Sequence, residues 1–423
     1  MKIVVLGLWH LGCVTAACCA RHYRIIGLDS DAQTVADLQQ GKAPLFEPGL
    51  NELLSAGLAS GALAFTTDPQ IACAGAEVLW ICYDTPVNEH DESDVTGLLE
   101  RVRRTLPHLP NGTLVLVSSQ LPVGTCGKLE GEFPQFSFAC SPENLRLGKA
   151  IEAFEKPERV IVGLRDQSRQ AFLQKLFQPF TSQVLFMRIE SAEMVKHALN
   201  GFLALSIAYI NEIARLCERT GADAQEVSAG LKSDARIGPR SYLSPGGPFA
   251  GGTLARDVVT LTRLGTEKAE ALSLIPSIKQ SNDQHRGWMF GRLQARFGNL
   301  RGCTTAVLGL TYKPGTDTLR RSVAIELCRQ LTAAGATVRA WDPVVHALPP
   351  DLKAIALTPE LAEALQGVDA AVICTEWPQL RQARWREMIS TMRQPVIIDA
   401  NRFLEKELKE LCGIEHLSVG RAL

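Results

Sequence analysis

The sequence predicts an α/β protein made of two doubly wound, parallel-sheet domains joined by a long central helix and a helical region. Three observations carry that expectation. Short apolar runs alternate with helix-length segments through the first 188 residues. A long amphipathic stretch without proline, Ser191–Arg219, follows. The alternation resumes at Thr304. At 423 residues the chain is too long for one core. The divisions expected are 1-188, 189-298 and 299-423.

Taken in order, Lys2–Leu8 reads as a buried parallel strand, and Leu11–Arg21, rich in small apolar residues, as a helix. Arg24–Leu28 is a second strand, ending at Asp29. Glu77–Cys82, Thr113–Ser118 and Val160–Val162 are further buried strands. Ser191–Arg219 is longer than a crossover requires, and its one glycine, Gly201, weakens it little. It reads as a connector that also builds a dimer interface. A Pro/Gly-rich loop, Gly238–Gly252, interrupts the helical region, which then continues to about Ala295. In the last part Ala306–Leu310, Thr337–Trp341, Ala370–Cys374 and Val396–Ile398 read as strands, and Ser322–Ala334 as a helix. No repeat between the two α/β parts is visible in the sequence.

The formal net charge of -1 gives no global electrostatic case for nucleic acid or a membrane surface. The 12 cysteines are scattered, and several, such as Cys13, Cys18, Cys19, Cys82 and Cys374, lie in apolar runs. No two pairs have matching metal-ligand spacing, so no metal is expected and the thiols read as small buried apolar groups in a reducing compartment. Strand-like residues from Lys2 leave no room for a signal peptide, and no apolar run reaches the roughly 20 residues needed to cross a bilayer. A cytoplasmic protein is expected.

The first strand runs into Gly7-Leu8-Trp9-His10-Leu11-Gly12. A dinucleotide fold uses G-x-G-x-x-G here: the first glycine for the turn, the second for approach of the pyrophosphate, the third for helix–strand contact. Gly7 and Gly12 fit the first and third roles, and Trp9 occupies the second. Asp29 ends the second strand near the expected offset, where a carboxylate bonds ribose hydroxyls and favours NAD over NADP. Both α/β domains are expected to be Rossmann-like. Trp9 is expected either to obstruct the pyrophosphate path or to shift the cofactor.

Along nearly its whole length the chain resembles the UDP-glucose/GDP-mannose dehydrogenase family. The resemblance rests on Gly41-Lys42-Ala43-Pro44 to Glu47-Pro48-Gly49-Leu50, Asp84-Thr85-Pro86, Ser119-Gln120-Leu121-Pro122-Val123-Gly124-Thr125, and Ser141-Pro142-Glu143-Asn144-Leu145-Arg146-Leu147-Gly148. It continues through Pro157–Gly163, then Glu193, Lys196, Asn200 and Asn211-Glu212, then Arg236-Ile237-Gly238 and Pro248–Gly252. The last domain adds Gly309–Asp317, Arg320, Ser322, Thr375-Glu376-Trp377 and Asp399 with Asn401-Arg402.

The resemblance implies NAD-dependent oxidation of a nucleotide-diphosphate sugar, UDP by default, by a homodimer. Lys196 and Asn200 would lie on one helix face at the reacting alcohol, and Glu143 and Asp257 would hold water or orient the lysine. Gly7, Trp9, Leu11, Gly12, Asp29, Thr85, Pro86, Ser119 and Gln120 would line the cofactor site. Leu145, Arg146, Arg236, Gly251, Gly252, Lys313 and Arg320 would bind the nucleotide sugar, Arg236 reaching the partner subunit's site.

Four positions depart from the family pattern: Trp9, Gln120, Leu147 and Leu254. The last matters most. The family's G-G-x-C-x-x-K-D places a thiol that adds to the aldehyde, so that a second hydride can leave. Here Gly251-Gly252-Thr253-Leu254-Ala255-Arg256-Asp257 is one residue shorter, and Leu254 falls at the cysteine. Thr253 has a hydroxyl but no adjacent base in the sequence to activate it, and Cys126 and Cys140 flank family motifs but read first as buried structural cysteines. The covalent route to a uronic acid is therefore not expected, while a two-electron oxidation is. Two other readings stand beside it: a non-catalytic paralogue that binds nucleotide sugar or regulates a partner enzyme, and a different oxidoreductase reaction on the same scaffold.

Overall fold

Valine, isoleucine and leucine dominate the first strand because it is covered on both faces. The computed structural model describes every residue except Pro86, Glu89, His90, Asn144, Gly251 and Leu423, and the chain divides into two compact units, Met1–Leu199 and Asn200–Leu423. Among the described residues of the first unit, β1 (Lys2–Leu6), β2 (Arg24–Leu28), β3 (Leu63–Thr66), β4 (Val78–Ile81), β5 (Leu114–Val117), β6 (Ser137–Cys140), β7 (Val160–Leu164) and β8 (Val184–Met187) form one sheet. Its order is β3-β2-β1-β4-β5-β6-β7-β8. Parallel register runs from Lys2↔Arg24 to Leu6↔Leu28 on one side of β1 and from Ile3↔Val78 to Leu6↔Ile81 on the other. The chain reverses its direction of winding at β1 and β4, so a crevice opens outside their carboxyl ends. Ile3, Val5 and Trp80 pack into one core on one face, and Val4, Leu6 and Leu79 into another on the opposite face.

One pair departs from the expected parallel sheet: β6 and β7 are antiparallel, with Ala139 opposite Leu164 and Cys140 opposite Gly163. Their connection carries only the six-residue helix Ala150–Glu155. Ala150 and Ile151 pack into the core with Leu11 and Val14 of the first helix instead of crossing the sheet between the two strands. Strands β7 and β8 are again parallel.

The helix Ile189–Thr220 runs on from β8 and matches the expected span to within two residues at each end. Its Ala204 and Ala208 let Phe249, Ala255, Val258 and Ile278 approach closely. Its opposite side leaves Phe202, Tyr209 and Leu216, seven residues apart, exposed.

In the second unit β9 (Thr304–Leu308), β10 (Thr337–Trp341), β11 (Ala356–Leu357), β12 (Ala370–Ile373), β13 (Val396–Asp399) and β14 (Glu415–Leu417) form a sheet in the order β11-β10-β9-β12-β13-β14. All its pairings are parallel. This is the winding of the first six strands of the other sheet, so the two units repeat one topology that the sequence alone does not reveal. The repeat extends to the first turn. Gly7 and Gly309 both adopt positive φ, +94° and +82°. Leu8 N donates to Asp29 at 2.8 Å, and Leu310 N donates to Asp342 at 2.7 Å.

No helix among the described residues is long and apolar enough to cross a membrane.

Candidate functional site

The turn after β1 is built for a close approach of backbones. A Cβ on Gly7 would stand 2.6 Å from the Tyr83 ring, and one on Gly12 would stand 1.7 Å from the Gly7 carbonyl oxygen. Glycine is required at both for packing, and at Gly7 also for its left-handed φ. Trp9 is different. Its φ of -98° and ψ of -152° suit any residue, so the turn accommodates a side chain there without backbone strain. Trp9 is also the N-cap of the first helix, His10–Cys19, and no side chain caps that helix end. Amide N–H groups at an uncapped helix start suit a pyrophosphate. Asp29 accepts from Leu8 N at 2.8 Å and from Asp31 N at 3.1 Å, which fixes its carboxylate at the end of β2. Leu11 is buried beneath the turn. These residues fit a dinucleotide.

Two neighbours of the turn escaped sequence reasoning. His10 Nε2 lies 2.9 Å from Glu47 Oε2, and the buried Glu47 carboxylate also accepts from Gly148 N and Ala150 N. Burial raises the Glu47 carboxyl, but the His10 and backbone bonds outweigh it and hold the group below its usual range. Tyr83 packs under Gly7 and beneath the Arg101 guanidinium, and burial pushes its hydroxyl well up. Glu47 sits inside a quoted motif, so only its role was hidden; Tyr83 carried no signal.

A second group of predicted residues gathers at the carboxyl ends of β4, β5 and β6. Thr85 Oγ1 donates to the Gln120 carbonyl at 2.7 Å, and Ser119 N donates to the Ile81 carbonyl at 3.1 Å. A cavity of about 10 Å³ is lined by Ser119, Gln120, Cys126, Glu143, Lys196 and His197, among others. Lys196, 8% exposed, holds its ammonium 3.7 Å from Glu143 Oε1. The other Glu143 oxygen accepts from Leu145 N at 2.6 Å. Glu193, one turn before His197, caps the helix Thr125–Glu132 through Gly124 N and Cys126 N. His197 Nε2 lies 3.1 Å from the Leu121 carbonyl. Glu193 and His197 were the readable signal here, since both flank Lys196 on the long helix.

The same cavity holds two of the cysteines, Cys126 and Cys140, considered as replacements for the nucleophile. Cys126 is fully buried, and its hydrogen bond with Cys140, burial and the Glu193 carboxylate all raise it well above an ordinary thiol. A thiol held protonated is a poor nucleophile.

In the second unit Asn200 Nδ2 donates to Asp257 Oδ2, both side chains being buried. Asp257 belongs to the helix Thr253–Glu267, whose N-cap is Gly252 at φ +113°. Leu254, in the first turn of that helix, packs against the core of Ala204, Ala255 and Val258. Of the expected nucleotide-sugar residues, Leu145 and Lys313 are half-buried and Arg146 and Arg320 exposed. Arg236 is exposed at 89% of its side chain and bonds Asp234. Pro86 and Gly251 lie outside the described residues.

Models of the UDP-glucose/GDP-mannose dehydrogenase family match the chain in three parts: its NAD binding domain over residues 1–181, its central domain over 190–284 and its UDP binding domain over 306–406. The UDP-glucose 6-dehydrogenase TuaD of Bacillus subtilis is 32% identical over 436 residues, covering 99% of this chain and 93% of that protein. The UDP-glucose 6-dehydrogenase of Rhizobium meliloti is 32% identical, with 100% of both chains covered. The solved UDP-glucose dehydrogenase of the archaeon Pyrobaculum islandicum matches with a TM-score of 0.88 at 30% identity, covering 100% of this chain and 98% of that one. The matched NAD-binding fold, its glycine turn and similarity along the full length place this chain in the UDP-glucose/GDP-mannose dehydrogenase family of NAD-dependent nucleotide-sugar dehydrogenases.

Proposed function

We propose that this protein uses NAD to oxidise the primary alcohol of a UDP-linked sugar, removes two electrons, and releases the aldehyde. The observation that carries the reading is Leu254. It sits in the first turn of the helix Thr253–Glu267, at the position that aligns with the family motif's nucleophilic cysteine, and it is half-buried against a small apolar core. A side chain with no nucleophile forms no thiohemiacetal, so the aldehyde has no covalent handle for a second hydride.

The first oxidation keeps its parts. One alcohol C–H leaves as hydride and the O–H as a proton, giving aldehyde, reduced cofactor and a proton. NAD, when bound, accepts the hydride. Lys196 places its charge at the alcohol oxygen and stabilises the developing alkoxide, in a cavity where a buried charge acts strongly. Glu143 orients the ammonium and takes the proton through a water in the cavity. Asn200, one turn further along the helix and fixed by Asp257, adds a hydrogen-bonding amide at the sugar. Gly7, Leu11, Gly12, Asp29, Thr85, Pro86, Ser119 and Gln120 hold the cofactor in this reading. Leu145, Arg146, Arg236, Gly251, Gly252, Lys313 and Arg320 hold the sugar nucleotide. UDP is supported by the matched UDP binding domain and by the names of the relatives.

We also propose a homodimer, with residues 189-298 as its dimerisation region. The stripe Phe202, Tyr209 and Leu216 supports it: three large apolar side chains on one side of the long helix are exposed in the single chain. The test of the function is the ratio of reduced cofactor to sugar consumed, with the product identified by mass.

A further inference from the structure

Six tryptophans occur in the chain, and Trp80, Trp288, Trp341, Trp377 and Trp385 are buried. Trp9 alone among them is open to solvent, at 48%. It stands in the turn whose second glycine would let a pyrophosphate approach, and it caps a helix whose first residue, His10, is half-buried and whose next two, Leu11 and Gly12, are buried. A second exposed aromatic residue is linked to the same turn through the chain. Phe46, 77% exposed, adjoins Glu47, and Glu47 is bonded to His10, the residue after Trp9. The His10–Glu47 pair thus ties the segment that carries Phe46 to the helix start that carries Trp9. The backbone under Trp9 is unstrained, so the indole is not an accident tolerated by a turn that wants glycine.

We propose that Trp9 is a cofactor-contacting residue: its indole, with Phe46 beside it, packs against the bound dinucleotide and replaces with side-chain contact the close backbone approach that a second glycine would give. The inference rests on the NAD-binding domain of the matched family and does not depend on how many electrons the enzyme removes. Large apolar rings left in water beside a cofactor turn gain by covering an aromatic ligand, and a planar base or ring stacks without needing a specific hydrogen bond. The alternative, an indole that obstructs the pyrophosphate, makes the opposite prediction for the Trp9 variants below.

The experiment is a titration of the full-length protein with NAD, followed by tryptophan fluorescence and, separately, by calorimetry. NAD is expected to change the fluorescence of the wild-type protein and not that of Trp9→Phe, because the remaining five indoles are buried. Trp9→Ala is expected to weaken NAD about tenfold, Trp9→Phe less than about threefold, and Phe46→Ala by an intermediate amount. Circular dichroism checks that each variant is folded, and the exposed Phe46→Ala keeps the test alive if Trp9→Ala is not. Tighter or unchanged NAD binding by Trp9→Ala or Trp9→Gly would overturn the inference, as would a fluorescence change that persists in Trp9→Phe. Wild-type protein that binds no NAD at all would overturn both this inference and the oxidoreductase reading; binding that ignores Trp9 overturns the inference alone.

Discussion

Lys196 and Asn200 lie one turn apart on the long helix, yet each is held by a different carboxylate: Glu143 for the lysine and Asp257 for the amide. That arrangement separates catalytic from structural effects. Replacing Lys196 with methionine keeps most of the side chain and removes the charge at the alcohol. Turnover should fall by about 10²–10⁴-fold with the melting temperature little changed, measured by initial rates and calorimetry. Asp257→Ala should instead destabilise the protein, because it leaves the buried Asn200 amide without its partner, at a cost of about 1–3 kcal/mol read from denaturant unfolding. Gly12→Ala belongs with the second kind: its Cβ would stand 1.7 Å from the Gly7 carbonyl, so stability and NAD binding should be lost together.

At the scale of elements, the strands that were legible were those buried on both faces. β2 and β10, though less completely buried, match the expected runs residue for residue, and each is followed directly by an aspartate, Asp29 and Asp342, that marks its end. β3, β8, β11 and β14 were not foreseen. All four are sheet edges, and such strands are short or half-exposed and lack a long apolar run. β6 was hidden because Ser137–Cys140 has only four residues and a single large apolar side chain. The candidate site was legible where a motif carried it, as at Lys196 and Glu143, and illegible where tertiary contact made it, as at Tyr83 under Gly7. One helix start also yields a pH prediction. Asp223 caps the helix Ala224–Ser233 and pairs with Arg402. Burial raises its carboxyl, but the Arg402 bond, the Gln225 N–H and the nearby guanidinium charges prevail and hold it below the usual range. A depressed folded value contributes stability that is present above the unfolded pKa and lost as pH falls through the folded one. Asp223→Asn should therefore be less stable than wild type near neutral pH, with the difference shrinking below about pH 4, as read from melting temperatures across that range.

At the scale of the molecule, two units wind their sheets in the same order and begin them with the same glycine-and-aspartate turn, but the second aspartate is spent differently. Asp342 accepts from Leu310 N, Thr311 N, Val344 N and Trp377 Nε1, and is buried. Asp29 accepts from two backbone amides and is half-exposed. One fold thus leaves a carboxylate half-exposed at the turn in the first unit and uses it as an internal brace in the second. The long helix between them carries the dimer proposal. Light scattering should give twice the 46.1 kDa chain mass, and Tyr209→Glu, which puts a charge in the exposed apolar stripe, should shift it to one. The central claim concerns chemistry without the thiol. Purified protein with UDP-glucose and excess NAD should yield one reduced cofactor per sugar and a UDP-linked aldehyde by mass; two reduced cofactors per sugar and a uronic acid would contradict it.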